Sequence, residues 1–410
     1  MTKSCPVRFD PLSPEQLADP YPTYAALREG SPIHYEPDHD LWIVSRHEDV
    51  VAISLNTDDF SSVGSVQSTT TPSPPEVQEV LADGIGDMIW MTASDEPDHS
   101  RVRGLVNRVF TPKRVRDLEP QIARYVHSLI DGFVDTGATD IVESFAWPLP
   151  LWGLAEILGV PRGDIDRLHR WSYDWLRLMQ LTDPLDDLVA YAHSFVELQH
   201  YVLDALYQRQ DSPTDDLMSG LLEARHEVDP PLSVTELAWL PMNLIVAGHV
   251  TVTRAIANGL VTLLERPDQL EQVRSGEDAA LAGATEEILR YESPAQGLFR
   301  TALRDVDVNG VVIPEGAKVM LHYGSANRDP EVFEEPETFR ADRSDVRHHV
   351  AFGKGIHFCV GAPLARAEVK HSFRGLLERL PNLRLAGPGT RDTIFFARGW
   401  SYLPMEWDAT

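Results

Sequence analysis

A chain of 410 residues with 43% apolar content is long enough to bury one large core or two smaller ones. Its 63 acidic residues against 36 basic ones leave a formal charge of −27, which argues against nucleic acid or an anionic membrane surface as partner and favours solubility. The two cysteines, Cys5 and Cys359, stand at opposite ends and offer no disulfide framework, and residues 1–14 carry no apolar run. A reducing, cytoplasmic setting without leader or membrane anchor is the expectation.

Strand-like pieces open the chain at 33–35 and 42–44, across a turn at 36–41, and residues 61–75, rich in Ser, Thr, Gly and Pro, read as a long loop. Apolar residues then recur with a helical period over 98–109, 112–136, 143–158, 164–181, 185–209, 215–226, 233–265 and 280–291. Ser233 followed by Glu236 is a capping-box signature for the longest of these. Its apolar stretch is interrupted by Asn243, His249, Arg254 and Asn258, which makes it a core helix and not a membrane span. Asn309-Gly310 inside 306–313 is a strong hairpin signal, a helical pattern covers 362–379, and 393–407 reads as a further β-element. The expected fold is mainly α with small peripheral β-sheets, a single domain over residues 1–410.

Residues 352–361 read Phe-Gly-Lys-Gly-Ile-His-Phe-Cys-Val-Gly, a glycine-rich loop delivering Cys359 to the start of the helix-patterned 362–379. Backbone N–H groups and a helix dipole there are expected to hold the sulfur as thiolate. One thiolate is too few ligands for structural zinc, and suits a nucleophile or the single axial ligand of a haem iron. The pattern, carried by Phe352, Gly353, His357, Cys359 and Gly361, resembles the haem-binding loop of the cytochrome P450 family.

That resemblance extends along the chain. It implies haem b held between a long distal helix and the proximal loop, with Cys359 as iron ligand. His99 and Arg103, four apart on a predicted helix, resemble the family's propionate clamp, joined by Arg300 and His357. Glu287-Ile288-Leu289-Arg290 matches its Glu-x-x-Arg, with Arg340 or Arg343 as third member in a folding role. Ala247, Gly248 and Thr251 match the oxygen-side motif of the distal helix, where a hydroxyl loosens helix hydrogen bonding. Val250 stands where the family carries an acid, so proton delivery falls to Thr251 with water, to His249, or to the substrate.

The family's substrate segments map onto Met88, Trp90, Trp175, Met179, Leu244, Leu298, Phe299 and Phe395, a set suited to an apolar or aromatic small molecule, with Arg177 as a possible carboxylate anchor. The implied activity is monooxygenation with O2, such as hydroxylation or O-demethylation, in secondary or catabolic metabolism. Electrons would come from NAD(P)H through ferredoxin and ferredoxin reductase, since no nicotinamide or flavin fingerprint is present. Arg108, Lys113, Arg114, Lys354, Arg366 and Lys370 are the basic residues expected to dock that ferredoxin, and the protein is expected to be a monomer. Two alternatives stand beside this reading: oxidative coupling or desaturation on the same haem, and a non-enzymatic haem gas sensor or carrier.

Overall fold

The helix Val234–Leu264 organises the molecule. Its start is fixed by a capping box, Ser233 Oγ accepting from Glu236 N at 3.1 Å while Ser233 N donates to the Glu236 carboxylate at 2.7 Å. The helices Pro148–Leu158, Ile165–Gln180, Leu185–Asp211 and Ala362–Arg379 pack around it. At Gly259 a side chain would sit 2.4 Å from Phe373 Cζ, so the glycine lets the helix that follows Cys359 lie directly on the long one. Among the described residues it is the one helix long and apolar enough to cross a membrane, yet 83% of its most apolar window is buried by protein. That is the signature of a core helix, as the interrupting polar residues predict.

This computed structural model describes residues 7–68, 71–86 and 90–408. Cys5 and Met88 lie outside them. Within them a single apolar core runs from Phe9 to Trp407, with a smaller one beneath the main sheet. That sheet has five strands in the order Ile33–Glu36, Leu41–Val44, Lys318–Leu321, Leu298–Ala302, Phe60–Ser61. Leu41–Val44 and Lys318–Leu321 pair in parallel, Trp42 opposite Val319, and the remaining pairs are antiparallel. Small sheets elsewhere join Ala138–Asp140, Pro404–Glu406 and Arg384–Leu385, and Thr390–Arg391 with Trp400–Tyr402. The hairpin Val306–Val308/Val311–Ile313 turns on Asn309 and Gly310, both at positive φ (54° and 83°), as its Asn-Gly predicts.

The mainly helical architecture with peripheral sheets is therefore as expected. Some helices are shorter than their sequence pattern: that over 215–226 is α-helical only at Leu217–Ala224 and ends in a 3₁₀ turn. The pattern over 112–136 yields an α-helix only at Pro112–Asp131, then a 3₁₀ turn. The pattern over 143–158 begins as a π turn at Val142–Ala146 before Pro148 restarts an α-helix.

Candidate active site

On the proximal side, the loop closes through Cys359 N donating to Phe352 O at 2.9 Å and Gly353 N donating to Val350 O at 2.8 Å. Gly353 and Gly355 have φ of +71° and +72°, where an L side chain is strained. A Cβ at Gly355 would also meet Ser54 O at 3.0 Å. Cys359 is a free thiol whose sulfur faces the backbone N–H groups of Gly361 and Ala362 at the start of the following helix. The residue keeps some accessible surface, yet desolvation dominates. Burial pushes the thiol above its ordinary pKa, and the two N–H groups with the Arg103 and Arg366 charges only oppose it. The loop's N–H groups act in the expected direction, towards the thiolate. A coordinated cation would complete the deprotonation.

Four cationic or potentially cationic groups gather beside the loop. The rings of His99 and His357 lie 4.2 Å apart, and neither Nε2 has a hydrogen-bond partner among the described residues. His99 Nδ1 is 3.5 Å from the Glu96 carboxylate without forming a proper hydrogen bond. Burial, then the charges of His99, Arg300 and Arg103, pushes the His357 pKa down to about 3, and burial lowers that of His99. Arg103 donates to Phe358 O at 2.7 Å and Arg300 to Phe299 O at 2.8 Å. Among the described residues neither guanidinium has a carboxylate within ion-pair distance. In a chain with 63 acidic residues, that pairing of burial with missing counter-charges marks a site for anions.

The distal side is equally specific. From Leu237 to Leu263 the long helix is buried all round except at Ala247, Gly248 and Thr251. Spacing i, i+1, i+4 puts these three on one face, so the core opens there and nowhere else along the span. Thr251 Oγ1 donates to Ala247 O at 3.1 Å. Gly248 sits close against a neighbour: a Cβ would meet Leu154 Cδ1 at 3.1 Å. A buried helix with a three-residue opening, an uncompensated cationic cluster and a thiol on a helix N-terminus are what a flat dianionic metal macrocycle needs.

The known proteins agree. The Cytochrome P450 family profile matches residues 157–381. The chain belongs to the cytochrome P450 family. The P450 monooxygenase PikC of Streptomyces venezuelae is 37% identical over 97% of this chain and 93% of its own. The 6-deoxyerythronolide B hydroxylase of Saccharopolyspora erythraea is 35% identical over 95% of this chain and 96% of its own. Among solved structures, P450BioI in complex with an acylated acyl carrier protein matches with a TM-score of 0.86 and 32% identity, covering 96% of this chain and 99% of that one. P450 enzymes use haem b with an axial cysteine thiolate, and the residues here fit it: Cys359 for iron, and His99, Arg103, Arg300 and His357 for the propionates.

The buried Glu-Arg element is complete in this P450. Arg290 binds both oxygens of Glu287 at 2.7 Å, and Arg343 Nε donates to Glu287 Oε1 at 3.0 Å, all three side chains fully buried. Arg343 is thus the third member. Arg340 contributes its backbone N–H to Glu287 at 3.0 Å and points its side chain towards Glu334 and Glu335.

Other candidate residues divide. His249 is not brought to Thr251: two positions apart on a helix is about 200° of rotation. Its Nδ1 contacts Ser172 Oγ at 2.8 Å, its ring meets His169 edge-on at 5.1 Å, and burial holds its pKa well below the ordinary value. Val250 is buried. Trp90 and Trp175 lie 4.9 Å apart and join Phe195 and Trp239 in one aromatic cluster that the sequence pattern had not linked. Phe299 and Phe395 approach to 6.4 Å, Met179 and Leu298 are half-buried, and Leu244 is buried. Arg177 is committed to Asp183 and to Thr393 Oγ1 at 3.1 Å, which corrects its candidacy as a carboxylate anchor.

The opposite, proximal surface carries an open groove of 880 Å³ lined in part by Phe352, Lys354, Phe358, Arg366 and Lys370. Phe358, which lines it, is exposed, as is the nearby Ile356 of the same loop. Arg366 is paired with Glu286, and Lys370 with Glu119 at 3.2 Å. Arg108, Lys113 and Arg114 are engaged by Glu227, Asp117 and Asp215 and do not line the groove.

Proposed function

We propose that this P450 inserts one oxygen atom from O2 into an apolar or aromatic small molecule, by hydroxylation or O-demethylation in secondary or catabolic metabolism. The observation that supports the substrate class is the aromatic cluster of Trp90, Trp175, Phe195 and Trp239, whose Trp239 lies on the same helix as the opening, together with the Phe299–Phe395 pair and an Arg177 neutralised by Asp183. PikC and the 6-deoxyerythronolide B hydroxylase are named for oxidations of this general kind. The haem, when bound, supplies O2 activation, with Cys359 as its electron-rich ligand.

The chain's own residues do the rest. His99, Arg103, Arg300 and His357 neutralise and orient the propionates. Thr251 presents its hydroxyl at the opening and orders water there. His249, held by Ser172 on the far side of the helix, serves proton supply only through the helix packing it maintains. The core excludes bulk water from everything but the opening.

Electrons, in this reading, come from NAD(P)H through ferredoxin reductase and a ferredoxin docked on the proximal groove, which the exposed Phe358 lines together with Lys354, Arg366 and Lys370. The protein is read as a cytoplasmic monomer.

The test is a spectral-shift screen of aromatic and natural-product compounds on the purified ferric protein. The best binder is then turned over with ferredoxin, reductase, NADPH and ¹⁸O-labelled O2. One labelled oxygen in the product is expected. A product lacking label but oxidised by two electrons would favour coupling or desaturation, for which Val250 at the acid position is the supporting feature. Ligand binding with neither NADPH use nor product would favour a sensor.

A further inference from the structure

A series of aromatic rings runs from beside the propionate site to the surface. Its inner end is Trp90, next in sequence to Met91, whose carbonyl faces the His357 ring. Trp90 lies 4.9 Å from Trp175. Trp171 and Trp175, 0% and 3% exposed, stand four apart on the helix Ile165–Gln180 and share a face, one turn from each other. Trp171 lies 5.1 Å from Tyr201, half-buried on the helix Leu185–Asp211.

The two outer rings each donate to a carboxylate. Trp171 Nε1 donates to Glu197 at 3.1 Å and the Tyr201 hydroxyl to Asp164 at 2.8 Å. Arg167, paired with Asp164 at 3.0 Å, lies over both rings, 4.6 and 5.0 Å from their centroids. A positive charge so close opposes a radical cation, so one-electron oxidation of either ring goes with loss of its proton. For each proton the accepting carboxylate is already in hydrogen-bond contact.

We propose a second activity: hydrogen peroxide reduced at the haem in the absence of substrate draws its electrons through Trp90, Trp175 and Trp171 from Tyr201, where a small electron-rich enediol or phenol replaces them. Peroxide takes two electrons and two protons and becomes two waters. Each electron leaves Tyr201 as its O–H proton passes to Asp164. The reductant returns an electron to the tyrosyl oxygen, Asp164 returns the proton, and the reductant's own proton goes to solvent. Two rounds oxidise one ascorbate to dehydroascorbate, and the two protons released match the two taken up by peroxide. The inference rests on the propionate placement of His357 and not on the substrate reading. A ligand screen that finds no apolar binder leaves its outcome untouched, because peroxide needs no substrate.

The test treats substrate-free ferric holoprotein with hydrogen peroxide and freezes it for electron paramagnetic resonance, with peroxide-driven ascorbate oxidation measured alongside. The wild type should show a tyrosyl radical. Tyr201→Phe should lose it, leave a tryptophanyl signal and lose most of the ascorbate oxidation, with a ferric spectrum like the wild type's. Asp164→Asn keeps every ring and removes the proton acceptor, and should give the same loss of the tyrosyl signal. Trp171→Phe interrupts the series and should diminish that signal too. Tyr207→Phe, an exposed ring on the same helix outside the series, should change neither signal nor rate. A wild type without a protein radical would overturn the inference. So would a tyrosyl signal or an ascorbate rate undiminished in Tyr201→Phe, or a tyrosyl signal undiminished in both Asp164→Asn and Trp171→Phe.

Discussion

The rings of His99 and His357, contributed by residues 258 positions apart in sequence, lie 4.2 Å apart, and neither Nε2 has a hydrogen-bond partner among the described residues. These ring nitrogens, with Arg103 and Arg300 beside them, are a cost to the folded chain that anionic haem propionates, bound as proposed, would offset. Substituting one ring therefore weakens haem retention more than it weakens the fold. His99→Leu is expected to release haem to apomyoglobin on the order of tenfold faster, for about 1.4 kcal/mol of lost interaction, with a circular dichroism spectrum like the wild type's.

The buried Glu287–Arg290–Arg343 cluster separates two arginines that the sequence offers equally. Arg343→Ala leaves part of a buried carboxylate uncompensated and is expected to cost about 3–5 kcal/mol. Arg340→Ala removes only partly exposed pairs with Glu334 and Glu335, worth within about 1 kcal/mol. Urea unfolding of the two variants should differ accordingly, and equal losses would contradict the assignment.

Gly355→Ala forces a positive φ on an L residue and drives a methyl to 3.0 Å from Ser54 O. A cost of about 1–3 kcal/mol is expected, concentrated in the cysteine loop. The ratio of haem to protein after purification should fall. Gly163→Ala, with nothing among the described residues within 4 Å of the new methyl, is the control that should not change it.

His322 is fully buried, its Nδ1 accepting from Ser325 N at 3.1 Å and its ring 4.2 Å from that of Tyr24. Burial, with the Arg28 charge adding to it, holds its pKa at about 3. Unfolded, it titrates near about 6.5, so between those values the unfolded chain binds the extra proton. Its contribution to stability is complete above pH 6.5 and is lost as pH falls towards 3, with a slope of at most about 1.4 kcal/mol per pH unit. Urea midpoints at pH 7, 6 and 5 should fall in that order. His322→Asn, which keeps an acceptor for Ser325, should flatten the trend.

On the proximal face, reversing Arg366 to Glu sets it against Glu286 and removes a positive rim from the groove. Stopped-flow reduction by an acidic ferredoxin is expected to slow severalfold at low ionic strength, the difference shrinking as salt rises. Reversing Arg108, which pairs with Glu227 away from the groove, should change it little.

Local pattern determined a good deal of this protein by itself. The cysteine loop, the capping box of the long helix, the Asn-Gly hairpin and most helix positions follow from short-range chemistry: spacing of apolar residues, capping hydroxyls, and glycines at positive φ. The candidate haem residues Cys359, His99, Arg103, Arg300, His357 and Thr251 are proposed from short motifs in the same way.

What the tertiary structure decided is everything that depends on contacts between distant segments. The strands Leu298–Ala302 and Lys318–Leu321 carry no local signal, since their pairing is with one another and with Leu41–Val44. Only packing shows that the side chain of Arg343, and not that of Arg340, reaches Glu287; that Arg177 is spent on Asp183; and that His249 turns to Ser172, away from Thr251. Burial is also what raises the Cys359 thiol against its own loop. Desolvation is a property of all the neighbours at once, and no stretch of sequence carries it alone.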